Sequence, residues 1–426
     1  MKVVIVGGGW AGCAAAASAR KQGVDVTLLE RTDLLLGTGL VGGIMRNNGR
    51  FTAAEEAIAM GGGDLFHITD ACARHKDVNF PGHAHASLYD ICKTPVEVTD
   101  HMLAIGVDVR LCARITSADM EGKAIIRVRD DNGACYEGDV FVDATGTAGP
   151  PANCIKYGNG CVMCILRCPT FGGRVSLTAL AGIEEIQGRK ASGEIGAMSG
   201  ACKLNKESLA PEIVRELEEK GVVVVPVPED VVEDHLDTKA CQQYAQAEFA
   251  ENIVLLDTGH AKLMSPYYNL DRLRQVPGFE YARFEDPYSG GQGNSMRFFA
   301  MAPHDDTLKV DGIENLFCAG EKAGLLVGHT EAIVTGMLAG ANAARLARSE
   351  DLVTLPRTLA VGEAIAFVRE QMKTEHGLNL KYTFSGSVLF ERMKTLNLYT
   401  TDVAKIRERV AATGLINAFE KNGGLI

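Results

Sequence analysis

A chain that opens KVVIVGGGWAGCAAAASARKQGVDVTLLE, residues 2–30, has little freedom in how it begins to fold. Residues 2–6 are a mainly apolar run of strand length, Gly7-x-Gly9-x-x-Gly12 is a turn, residues 13–22 have the small-residue pattern of a packed helix, and residues 25–30 read as a second strand. Each glycine has its own task. Gly7 permits the tight turn, Gly9 lets backbone approach a pyrophosphate, and Gly12 lets the helix pack closely while its N-terminus faces the phosphates. Glu30, 18 residues after Gly12, can accept hydrogen bonds from a ribose, which predicts an unphosphorylated adenosine at this end.

Composition narrows the class. The 426 residues, 46% hydrophobic and 23% charged, are enough for two or three globular domains. No apolar run approaches the roughly 20 residues that cross a bilayer, and the first strand follows Met1 directly, so a cytoplasmic protein without a membrane partner is expected. In that compartment the twelve cysteines are expected to be thiols, ligands or redox groups rather than a disulfide framework. A net charge of −11 argues against non-specific coating of nucleic acid.

Further along, the glycine-rich stretch 37–43 reads as a loop that lets backbone approach a flat ligand. Residues 52–60 and 95–105 have helical periodicity, 107–111 reads as a strand, and 114–120 with 124–129 as a hairpin. The strand 139–143 runs into Ala144-Thr145-Gly146. Residues 286–295 read as a glycine-rich loop, and 359–373, 387–394 and 401–412 as helices. His83 and His85, in PGHAHA, could bind a metal or face solvent.

The second strong signal is an apolar strand that ends at Gly320-Glu321 and leads through Gly328-His329-Thr330-Glu331 into a helix rich in small residues. An acid there can accept hydrogen bonds from a ribityl chain, and the helix N-terminus can stabilise an anionic reduced flavin ring. The first glycine turn, the turn at Gly146 and the Gly320-Glu321 strand make one site, and no second strand–GxGxxG–helix unit is read for a resident nicotinamide cofactor. FAD is therefore expected. Its candidate contacts are Gly7, Gly9, Ala11, Gly12, Glu30, Arg31, Gly39, Gly146, Gly320, Glu321, Gly328 and Thr330, with His329 as proton donor or polariser of a bound substrate. Electrons would come from a transiently bound reductant, a protein partner or a cluster. The expected fold is α/β: a glutathione-reductase-type FAD-binding Rossmann domain with an inserted α+β domain and a helical C-terminal extension. Its parts are expected at 1–150, 151–300, 301–350 and 351–426.

CAGEKAGLLVGHTEAIVTGMLAGANAAR, residues 318–345, resembles the signature of the folate- and FAD-dependent tRNA uridine methyltransferases of the TrmFO type, and of relatives that install carboxymethylaminomethyl groups on tRNA. LRQVPGFEYAR (273–283), Cys168-Pro169 and LPRTLAVGEAIAFV (355–368) support the resemblance. It implies FAD, and a tetrahydrofolate stacked on the flavin. The methyltransferases resembled look to use two cysteines, one in the loop after the second strand. Here residues 39–50 hold none, and Cys202 in SGACKL is a loose match for the other.

The leading expectation is thus a paralogue that moves hydride or a one-carbon unit between small molecules at the flavin. Its rivals are an RNA uridine methyltransferase with Cys202 as nucleophile, and a flavin- and folate-binding electron-transfer or sensor protein. A homodimer is left open. Cys161-x-x-Cys164-x-x-x-Cys168-Pro169, with Cys154 upstream, matches the end of a ferredoxin-type run, but Gly158 stands where that run needs a cysteine. An iron–sulfur cluster, a redox dithiol or zinc site, and plain thiols all remain open for these four.

Overall fold

The computed structural model describes residues 1–147, 174–190, 193–195, 197–232, 236, 244, 246–265, 268–285 and 292–420. Five strands lie parallel in the order Leu316–Cys318, Val140–Asp143, Lys2–Val6, Asp25–Leu29 and Asp108–Arg110. Parallel strands are covered on both faces, which is why they read as unbroken apolar runs. Val3, Val4, Ile5, Phe141, Val142, Leu316 and Phe317 are all fully buried.

The first helix, Trp10–Lys21, begins three residues earlier than the sequence pattern predicts. It packs against the long helix His329–Ala347, not merely against the sheet. A Cβ at Gly336 would stand 2.2 Å from the Ala11 carbonyl oxygen, and one at Gly340 would stand 2.1 Å from that of Ala15. The small-residue spacing therefore serves contact between two helix backbones, and it brings their N-termini to the same end of the sheet.

The predicted hairpin is present as Ile115–Glu121 and Ala124–Asp130, joined by Cys135–Glu137 into a three-stranded antiparallel sheet. A second five-stranded sheet is wholly antiparallel, in the order Val222–Pro226, Asn252–Asp257, Ala261–Leu263, Ala197–Leu204 and Gln292–Arg297. Its last member overturns part of the glycine-rich loop expected at 286–295. From Gln292 the backbone pairs residue by residue with Ala197–Leu204, and ladder hydrogen bonds override weak side-chain propensity at an edge.

The segment 73–89, which contains PGHAHA, is likewise a hairpin of Ala73–Phe80 and His83–Tyr89, with Ile44–Met45 added at its side. Ile44, Val78, Phe80, Ala86 and Leu88 pack against Phe249, Val254, Leu256 and Met264 of the second sheet and its flank. Chain from the first hundred residues is thereby joined to the inserted sheet.

The C-terminal helices Ala360–Gln371, Ser387–Thr395 and Val403–Ala411 are clamped onto the body by buried carboxylates. Glu56 accepts from the amides of Ala360 and Val361 at 3.0 Å each and from Arg409 at 2.9 Å. Among the described residues, no helix is long and apolar enough to cross a membrane.

Candidate functional site

A cleft of about 1480 Å³, counting its open mouth, runs along the ends of the parallel strands and is closed on its far side by the second sheet. One wall is backbone. Gly7 adopts φ +107°, and a Cβ there would meet the Ala144 carbonyl oxygen at 2.3 Å. Gly9 and Gly146 have nothing within 4 Å of an added Cβ, so their backbone borders open space. Trp10–Lys21 has no side-chain cap and no acid in its first turn, which leaves its leading amides and positive end directed at the cleft. His329–Ala347 also lacks a side-chain cap, and Gly328, His329 and Ala332 line the same cavity. Glu331, in the first turn of that helix, is held elsewhere. It pairs with Arg50 and accepts from Thr383 Oγ1 at 2.7 Å and from the Phe384 amide at 2.8 Å.

Two acids mark the two expected ends. Glu30 Oε2 accepts from the Gly8 amide at 2.8 Å, while Oε1 accepts from the amide and hydroxyl of Thr32 at 2.8 and 2.9 Å. These bonds fix the carboxylate at the cleft edge and leave acceptor sites over for a ribose, since an ionised carboxylate has about four. Glu321 is held between Thr147 Oγ1 and Arg297 Nη1, the latter at 2.9 Å.

The lining is cationic. Among the described residues, Arg31, Arg50, Arg114, Arg174, Lys262 and Arg297 line the cleft against Glu30 and Glu321, in a chain whose overall charge is −11, and Lys262 and Arg297 come from the second sheet opposite. Lys262 donates to the Val41 carbonyl at 2.7 Å and Lys203 to that of Leu40 at 3.5 Å, so two cations cap the C-terminal end of the short helix Gly37–Val41. The glycine-rich loop is therefore a turn of 3₁₀ helix pinned from the second sheet. Gly42 beside it admits His329: a Cβ there would stand 1.8 Å from His329 Cε1.

Burial first, then the charges of Arg50, Lys262 and Arg297, hold the His329 imidazole well below its ordinary pKa. The ring is neutral at pH 7, which fits the expected polarising role and not that of a cationic acid. Tyr89 Oη lies 3.3 Å from the Gly39 carbonyl, which can only accept, and 3.2 Å from His329 Nδ1. Assigned from this network, Tyr89 donates to Gly39, His329 Nδ1–H donates to Tyr89, and Nε2 carries the lone pair. Trp10 packs against both rings at centroid distances of 6.0 and 5.8 Å.

Of the sequence-derived candidates, Gly7, Gly9, Ala11, Glu30, Arg31, Gly146, Gly320, Glu321, Gly328 and His329 all line this cavity. Four do not. Gly12 is buried under the turn, where a Cβ would stand 1.8 Å from the Gly7 carbonyl oxygen. Gly39 makes room for Trp10, whose Nε1 would be 2.3 Å from an added Cβ. The Thr330 side chain is buried, with Oγ1 3.7 Å from Met45 Sδ. Cys202 is fully buried among Leu204, Leu255 and Leu263, and burial pushes its thiol up to about 12. A thiol buried there has no access to a substrate in the cleft, so Cys202, expected as a nucleophile, stands instead in the core of the second sheet.

Cys154, Cys161, Cys164 and Cys168 lie outside the described residues. His83 does not face solvent: it is buried against Phe80 and Tyr244, with Nδ1 2.9 Å from Asn47 Nδ2. His85 pairs with Asp77 at the surface. Among the described residues no three His, Cys, Asp or Glu side chains are placed to hold a metal ion. Sequence reasoning missed Arg50, Arg174, Lys262 and Arg297. The only local signal was the alternation in AKLM, where Lys262 interrupts a buried strand.

The family model described as "Glucose inhibited division protein A" matches residues 2–269 and 262–351. A methylenetetrahydrofolate–tRNA-(uracil-5-)-methyltransferase TrmFO from Dictyoglomus thermophilum is 35% identical over 95 residues, 22% of this chain and 21% of the relative. The enzyme of the same name from Prochlorococcus marinus is 36% identical over 100 residues, 23% of this chain and 20% of its own. The match thus spans about a fifth of the length of these curated relatives. Two crystal forms of Aquifex aeolicus GidA superpose with TM-scores of 0.62 and 0.60 at 14% identity; each covers 96% of this chain, and 76% and 78% of the solved chains respectively. They share its fold.

Proposed function

The chain belongs to the glucose inhibited division protein A family, and we propose that it is an FAD-dependent enzyme of tRNA modification that moves hydride or a one-carbon unit at the flavin. The observation that carries this reading is the single cleft that joins the Gly7–Gly9 turn, Gly146, Gly320-Glu321 and the N-terminus at Gly328-His329. The open backbone at Gly9 and Gly146 fits a pyrophosphate and its approach, and the fixed carboxylate of Glu30 fits a diol. Glu321 would take the ribityl hydroxyls. When bound, FAD supplies a reversible two-electron carrier. Lys262, Arg297 and the N-terminus of His329–Ala347 would then stabilise negative charge on its reduced ring, and neutral His329 would orient a polar group on the second substrate.

Folate is the second ligand favoured by the similarity to methylenetetrahydrofolate-dependent methyltransferases, and tRNA is the macromolecule those enzymes are named for. Uridine methylation itself would need a nucleophile other than buried Cys202. The test is anaerobic titration of the purified protein with NADH, NADPH and methylenetetrahydrofolate while the visible flavin absorption is followed, then addition of unmodified tRNA. Bleaching by one donor and recovery of colour on adding acceptor supports the reading. A flavin that no donor bleaches, in protein that binds neither folate nor tRNA, would overturn it.

A further inference from the structure

Outside the cleft, the turn before one helix and two loops of the second sheet bring a thiol, an imidazole and a carboxylate into line. Cys92, exposed, has its Sγ 3.6 Å from His260 Nε2, and His260 Nδ1 lies 3.7 Å from Glu285 Oε2. The carboxylate is itself steadied by Asn205 Nδ2 at 3.1 Å. The three residues are far apart in sequence and none belongs to the cleft lining. We propose that Cys92, His260 and Glu285 form a thiol-exchange site that reacts with small disulfides.

The roles follow from the order of contacts. With Nε2 accepting the thiol proton, Nδ1 carries the hydrogen and faces Glu285 at 3.7 Å, beyond a direct hydrogen bond, so the carboxylate acts through its charge by favouring the imidazolium formed when the thiol gives up its proton. Burial chiefly, then the charge of Lys203, lowers His260 even though Glu285 pulls it up, so the ring is neutral and free to accept a proton. Burial, Asp90 and Glu285 raise the Cys92 thiol. The resting pair is therefore thiol and imidazole, activated by proton transfer at the moment of attack.

Acyl transfer is disfavoured because the neighbouring amides are already committed. Cys92 N and Lys93 N donate to Asp90 Oδ1, Thr94 N donates to the Asp90 carbonyl, and Val96 N and Glu97 N donate to that of Lys93. No donor from that turn is left for an oxyanion. Exchange with a disulfide needs none. Cys92 Sγ attacks one sulfur as His260 takes its proton, the S–S bond breaks, and the departing thiolate carries off the electron pair and recovers the proton from His260. The adduct would sit one residue from Ile91, whose amide donates to the Thr258 carbonyl at 3.1 Å, beneath Gly43 of the loop over the cleft.

The experiment is timed reaction of the full chain with 5,5′-dithiobis(2-nitrobenzoate), a small aromatic disulfide, with peptide mass spectrometry to assign each modified cysteine. Cys112 and Cys135 are exposed and serve as internal references. The rate at Cys92 is expected to fall about tenfold on His260→Ala and several-fold on Glu285→Gln, while the rates at Cys112 and Cys135 stay as they are in the unaltered chain. A rate at Cys92 indifferent to His260→Ala in a variant with an unchanged melting temperature, or a fall at Cys92 matched by equal falls at Cys112 and Cys135, would overturn the proposal. Neither readout depends on bound flavin or on turnover.

Discussion

The two walls of the cleft recognise by different means. The wall built from the parallel sheet offers backbone: glycines at Gly7, Gly9 and Gly146, and two uncapped helix N-termini. The facing wall offers side chains, with Lys262 and Arg297 reaching in from antiparallel strands. Backbone recognition tolerates almost no substitution, because what matters is the absence of atoms. Side-chain recognition is graded, since each cation contributes separately to a shared field.

The largest expected effect tests the packing that holds the backbone wall from behind. Gly12→Ala puts a methyl 1.8 Å from the Gly7 carbonyl oxygen and should cost about 3 kcal/mol or more of stability, with no flavin retained. Chemical denaturation and the absorption spectrum read both, and a normally stable yellow variant would break the distinction. On the other wall, Lys262→Met or Arg297→Met should leave the fold intact and weaken FAD binding by about 10- to 100-fold, some 1.4–2.8 kcal/mol. Affinity by calorimetry is the check; complete loss of folding would show that these cations are structural.

Glu30→Gln keeps the shape of the side chain and removes its charge, for an expected loss of about tenfold in FAD affinity and a smaller one for isolated FMN, which lacks the adenosine. His329→Gln acts through pH. The folded chain holds this ring neutral, whereas the unfolded chain protonates it below about 6.5. The unfolded state then binds more protons, so stability falls as pH drops below that value. The variant should flatten the decline by about 1 kcal/mol between pH 6.5 and 5.5, as read by urea unfolding at each pH. Cys202→Ala should cost only about 1 kcal/mol of stability and leave FAD binding and turnover unchanged. Loss of turnover with full flavin content would restore this thiol to the chemistry.

The same contrast explains what could be read in the sequence. The parallel-sheet wall was legible because its constraints are local: glycine spacing, strand length and an acid at a set distance fall within residues 2–30, and Gly146 and Gly320-Glu321 each close an apolar strand of their own. Gly12 and Gly39 were singled out for contact with the cofactor, yet they act by making room for the Gly7 carbonyl and Trp10. The cationic wall was hidden because Lys262 and Arg297 enter through pairings that join Ala261–Leu263 and Gln292–Arg297 to Ala197–Leu204, and local pattern does not specify such partners. Arg50 was hidden for a related reason. Its partners Glu331 and Thr383 lie 281 and 333 residues away.

The most direct test of the central claim is the stoichiometry of FAD on the purified, folded chain. The account predicts a yellow protein that carries one FAD per chain, or takes up one when titrated, and releases it on Gly12→Ala. A well-folded, colourless protein that binds no FAD at saturating concentration would contradict it.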